Sequence, residues 1–148
     1  ELKVVPVAVS YEYDPNDINK AIECAKTNQG KEYIKSSNED ISSIAKGITD
    51  KKGDVSINVG SPMNFVSDDS DQISEQITKS IRNLYEPHST NYAAYIKSKN
   101  EILDHSFSKS KINESINYLE SRAMQLTKHE KEELYSQYYQ CLIKKMGG

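Results

Sequence analysis

Tryptophan is absent from this chain, phenylalanine and cysteine occur twice each, and arginine is found only at Arg82 and Arg122. Each shortage excludes something. No apolar run approaches the ~20 residues of a membrane-spanning helix, so none is expected. Cys24 and Cys141 lie far apart, without a CxxC or His–Cys companion. That spacing favours free, buried thiols in a reducing compartment over a disulfide framework. The basic residues other than the two arginines are all lysine, mixed with acids, and the net charge is −3. Arginine is the usual reader of phosphates and bases, so no nucleic-acid partner is expected. The three histidines show no metal-ligand spacing and are expected on the surface; neither a metal nor a cofactor is called for. Apolar residues are also scarce, 36% against 28% charged over 148 residues. Such a chain can form one domain, but its core is thin or part of its apolar surface meets something else.

What is present reads as two strands of different character followed by helices. Residues 4–9, Val-Val-Pro-Val-Ala-Val, are apolar without alternation, the pattern of a strand covered on both faces. Pro6 cannot donate to a ladder, so it belongs at an edge, a bulge, or where pairing stops. Asp14 and Pro15 read as N-cap and first helical residue, with Ile18, Ala21, Ile22 and Ala25 as the stripe and Gly30 as the stop. Ser36 with Glu39 fits a capping box ahead of Ile41, Ile44, Ala45 and Ile48. Residues 54–60 alternate strictly, as in a strand with one wet face. Helices are then expected over 70–85, about 90–99, 111–126 and from a Thr127–Glu130 capping box onward, the last two as an antiparallel hairpin. The fold class is therefore a helix-dominated α/β remnant. It has two short strands (about 4–11 and 54–60), five to six helices, and a rear half forming an α-helical hairpin or bundle. Two strands seldom make a stable sheet. The first strand is thus expected to find its neighbours outside these residues, as the rear part of a larger α/β protein.

Three stretches carry a resemblance. Val4-Val5-Pro6-Val7 continuing into Ser10-Tyr11-Glu12-Tyr13-Asp14-Pro15-Asn16-Asp17 resembles the fourth sequence block of bacterial glycerophospholipid acyltransferases of the 1-acylglycerol-3-phosphate type. Within that family it looks like a branch reading "vPVsisYEyDPxD". Residues 53–62, Gly-Asp-Val-Ser-Ile-Asn-Val-Gly-Ser-Pro, resemble the following strand and Gly-x-Pro turn. Leu84-Tyr85 through Asn91-Tyr92-Ala93-Ala94-Tyr95 resembles the "nY…NYxAY" segment; the C-terminal helices add nothing specific. The resemblance implies transfer of a fatty acyl group from acyl-CoA or acyl carrier protein to a glycerol-phosphate lipid. In that family a His-x4-Asp pair supplies the general base and its orienting carboxylate, and a later Glu/Gly/Arg block holds the acceptor phosphate. Neither block is here: the residues five places after His88, His105 and His129 are Ala93, Ser110 and Leu134. The implied division is 1–62 as the end of the acyltransferase α/β domain and 63–148 as a helical extension. The implied location is cytoplasmic, with peripheral contact at the inner face of the cell membrane.

Candidate cleft-wall residues are Pro6, Val7, Tyr11 and Glu12, for which plain strand packing is the competing reading. Glu12 and Asp14 share one side of an extended strand and could pair for acid–base work, although capping already occupies Asp14. The run Asp68-Asp69-Ser70-Asp71 lacks the Gly and Glu of a calcium loop and reads as a helix start. Tyr135, Tyr138 and Tyr139, followed by Lys144 and Lys145, suit either core packing or a bilayer surface. The competing function is a helical protein–protein interaction module without enzymatic activity. An unpaired edge on the 4–9 strand of the isolated chain favours a homodimer or strand exchange.

Overall fold

A computed structural model describes residues 3–66 and 68–147. In chain order it contains β1 (Val7–Tyr11), α1 (Asp17–Asn28), α2 (Glu39–Thr49), β2 (Val55–Val59), α3 (Ser70–Leu84), α4 (Ser89–Lys99), α5 (Lys109–Ala123) and α6 (Lys128–Met146). Helices dominate, and the two strands form one antiparallel sheet. The sequence-derived fold class stands.

β1 and β2 pair with Val7 opposite Val59, Val9 opposite Ile57 and Tyr11 opposite Val55. Pairing continues beyond both strands. Met63 N–H donates to Val4 O at 2.8 Å and Gly60 N–H to Pro6 O at 2.9 Å; Glu12 N–H donates to Asp54 O and Tyr13 N–H to Lys52 O, both at 2.9 Å. Two glycines let this ribbon close. A Cβ on Gly60 would sit 2.8 Å from the Pro6 ring, and one on Gly53 would sit 2.5 Å from the Glu12 carboxylate. Gly53 also has φ +67°, a conformation that L side chains rarely adopt.

Burial along β1 alternates. Pro6, Ala8, Ser10 and Glu12 point inward, while Val7 and Val9 stay about half exposed. The expectation of a strand covered on both faces is therefore corrected: β1 has one covered face, and its unbroken apolar run reflects an outer face that nothing covers among the described residues.

The core lies behind the sheet, around α4. Ala93 and Ala94 are fully buried, and their small side chains let α5 and α6 approach α4 closely with Leu119 and Leu134. α6 also packs on α1, through Ala21, whereas α5 and α6 touch each other little because α4 is their shared neighbour. Ala21 of α1 thus belongs to the same core as Leu134 of α6. Tyr138 and Tyr139 are buried, so the tyrosine stripe is core.

Local chemistry explains the helix starts. Thr127 and Glu130 form the expected capping box, with Thr127 N–H on Glu130 Oε2 at 2.8 Å. Asp69 caps α3 by accepting from Asp71 N–H at 2.9 Å. The acidic run is thus a helix start. Two starts fall later than expected. Asp14 accepts from Asn16 N–H at 2.9 Å, and Asp17 N–H donates to Asp14 O at 3.2 Å. That turn holds residues 14–16 outside the helix, and Asn16 is the N-cap. Ser36 N–H donates to Glu39 Oε2 at 3.2 Å, half of the expected box, yet α2 begins only after Asn38. Cys24 and Cys141 are both free, but Cys24 is exposed, lying outside the buried stripe of Asp17, Ala21 and Ala25 on α1. His88, expected on the surface, is buried as the N-cap of α4.

Candidate functional site

Three inward groups of the β1 strand and the turn after it anchor the helices. The first is Glu12, only 3% exposed. Its Oε1 accepts from Ser89 Oγ at 3.0 Å and pairs with Lys111 Nζ at 2.8 Å, while Oε2 faces Asp54 N–H at 3.3 Å. Ser89 Oγ also meets Ser115 Oγ at 2.7 Å, and Thr90 Oγ1 donates to the Glu12 carbonyl at 2.6 Å. One side chain thereby joins β1, the turn before β2, α4 and α5. Burial alone would raise the Glu12 pKa. The Lys111 ammonium, Asp54 N–H and Ser89 hydroxyl outweigh it and hold the carboxyl below its ordinary value. Lys111 is correspondingly raised, chiefly by its hydrogen bond to Glu12.

The second group is Ser10, whose Oγ lies 3.2 Å from His88 Nε2, both residues being buried. This has the outline of a nucleophile and its base. The His88 backbone is engaged as the N-cap of α4: its N–H donates to Asn91 Oδ1 at 2.6 Å and its carbonyl accepts from Asn91 N–H at 3.0 Å. Which of the two atoms donates, Ser10 Oγ or His88 Nε2, follows the ring's tautomer, and the contact joins two buried residues 78 apart in sequence. The pair ties β1 to α4.

The third group is Asp17, fully buried at the start of α1. It accepts both Arg122 Nε at 3.0 Å and the Arg122 Nη2 group, together with Tyr138 OH at 3.0 Å and Ile18 N–H at 2.7 Å. Tyr138 OH in turn accepts from Asp14 N–H at 3.1 Å. Burial, then the Asp17 charge, raises the Tyr138 phenol strongly and pushes Tyr118 up to about 12.

Between β1, α4 and α6 lies a recess of about 210 Å³ whose lining includes Tyr11, Asp14, Tyr85, Asn91, Gln137 and Tyr138. Gln137 Nε2 is buried there without a hydrogen-bond partner. The Cys141 thiol beside it is pushed up to about 11 by burial and is an inert thiol at neutral pH. Among the described residues no three His, Cys, Asp or Glu side chains gather as a metal site.

The four candidate cleft residues separate by the period of the strand. Pro6 packs inward against Gly60, and Glu12 is the buried node. Val7 lies on the open face, and Tyr11 is on the rim of the recess. They do not converge on one cleft among the described residues. Asp14 does not join Glu12; it salt-bridges Lys20 at 2.5 Å. Sequence reasoning missed Ser10, Asp17, His88, Lys111 and Arg122. One signal was available for Asp17, which shares the i, i+4, i+8 face of Ala21 and Ala25 and is therefore an acid on a buried stripe.

No protein-family model matches this chain, and neither does any curated protein or solved structure. No helix among the described residues is long and apolar enough to cross a membrane.

Proposed function

We propose that this chain is the C-terminal region of an acyltransferase that moves a fatty acyl group from acyl-CoA or acyl carrier protein to a glycerol-phosphate lipid. One observation carries the reading. The three stretches that resemble the family fold into a single unit, although 21 to 35 residues lie between them in sequence. Residues 53–62 pair with 4–13, Leu84 packs against Gly60, and Ser89 and Thr90 bind Glu12. The hallmark residues therefore support one another structurally rather than acting as separate motifs. One further feature suits the reading: β1 has a strand partner on one edge only among the described residues. An α/β domain contributing the His-x4-Asp pair would have that edge to extend.

In this reading the chain contributes no catalytic group. Its role is to brace the cleft from behind, with Glu12 and Lys111 locking the strand to the helices. Lipid contact at the inner membrane face belongs to the whole enzyme. The test is twofold. The reading frame upstream of Glu1 should encode His-x4-Asp at a distance of roughly 100 residues or more, enough for the βα units of such a sheet. The complete protein should then acylate a lysophosphatidate with acyl-CoA or acyl carrier protein as donor, while this chain alone does not. An upstream frame without that motif overturns the proposal. The alternative, an interaction module without enzymatic activity, draws on the open face alone. It requires a complete protein that is inert toward acyl donors and binds a protein partner through that face.

A further inference from the structure

Two apolar surfaces in this chain lack a covering neighbour among the described residues, and they match. On the sheet, Val7, Val9, Val55, Ile57 and Val59 share one face by register, Ile57 being 64% exposed. On α2, Ile41, Ile44 and Ile48 form one stripe, Ile48 being 75% exposed, and the helix buries no residue at all. A helix laid on a sheet is the standard way to cover both. The lengths agree. The 11 residues of α2 span about 16 Å, and the 5 residues of each strand span about 17 Å.

Within one chain the two surfaces are kept apart. Asn16 Nδ2 donates to Ser43 O at 3.0 Å, and Gly47 lies close to the same Asn16 side chain, which fixes α2 beside the start of α1. We propose that a second copy of this chain lays its α2 across the open sheet face and receives the first copy's α2 on its own. A two-fold axis makes the two contacts identical, so one complementary pair of surfaces is used twice. The eight half- to three-quarters-exposed aliphatic side chains leave on the order of 500 Å² of apolar surface per protomer. Two reciprocal contacts bury on the order of 1,000 Å², which meets the size of the smaller specific interfaces. The inference uses the face of the sheet, whereas the functional reading uses the edge of β1, and it stands without that reading. The acyl-transfer assay tests that reading alone.

The experiment uses the 148-residue chain with Ile44→Asp and Ile57→Asp, substitutions at exposed sites that leave the core intact. Light scattering at high micromolar concentration should give a dimer for the parent chain and monomers for each variant alone. Mixing the two variants should restore association. The Ile57→Asp chain keeps a sound α2 and the Ile44→Asp chain keeps a sound sheet, so one of the two contacts survives. Hydrogen exchange supplies the second readout: the amides of 39–49 should gain protection with concentration and lose it in Ile57→Asp. A monomeric parent chain overturns the proposal. So does a dimer that survives either substitution, or a mixture that neither associates nor protects α2.

Discussion

Glu12 would be an expensive residue to bury without Lys111, Ser89 and the Asp54 amide around it. Its lowered pKa turns that arrangement into a pH dependence. A carboxyl depressed in the folded state contributes stability that is complete above its unfolded value of about 4.5 and fades as pH falls through the folded value. Denaturant unfolding of the parent chain should therefore weaken on acidification. Glu12→Gln removes the titration and the charge pairing but keeps the side-chain shape. It should cost about 2 kcal/mol at neutral pH, with a shallower acid limb, both read from urea midpoints across the pH series. An acid limb unchanged in Glu12→Gln would mean that the Glu12 carboxyl does not carry the pH dependence.

Among the elements, α4 and α2 stand at opposite extremes. α4 buries Ser89, Thr90, Asn91, Ala93, Ala94 and Tyr95, whereas α2 buries nothing. Amphipathic spacing alone did not separate them. α2 has the cleaner isoleucine stripe, while α4 has small and polar residues on several sides that become satisfied only when β1, α5 and α6 surround it. Core residues in contact with α4 should carry stability and α2 residues should not. Leu134→Ala should cost about 2–5 kcal/mol, while Ile44→Ser should stay within about 0.5 kcal/mol in dilute solution. Chemical denaturation of the two variants checks this difference.

At the scale of the whole molecule, long-range polar bonds bind the front of the chain to the rear. Asp17 and Arg122 are 105 residues apart, and Asp17 and Tyr138 are 121 apart. Arg122→Met preserves the aliphatic stem but leaves a fully buried carboxylate without its cation. The expected loss is about 3–5 kcal/mol, read as a lower urea midpoint for the entire chain and not for α5 alone. Equal loss with Asp17→Asn/Arg122→Met and with Arg122→Met alone would show that the stranded charge is not the cause.

The sequence by itself determined the kinds of element and several of their ends. Period-two and helical spacing, the Thr127–Glu130 box, the Asp69 cap and the turn glycines act within a few residues, so neighbours in the chain suffice to specify them. It also marked β2 as a strand with two unlike faces, but not which one is covered: Val55, Ile57 and Val59 are exposed, and Ser56 and Asn58 form the partly covered side. Only the tertiary structure decided which surfaces are covered. β1 reads as apolar throughout yet is buried on one face, and α2 reads as a core helix yet buries no residue. His88 and Asp17 look like surface groups in sequence and lie inside. The reason is physical: a side chain is buried by what approaches it from elsewhere in the chain, and for Ser10, Glu12 and Asp17 those partners lie between 42 and 121 residues away.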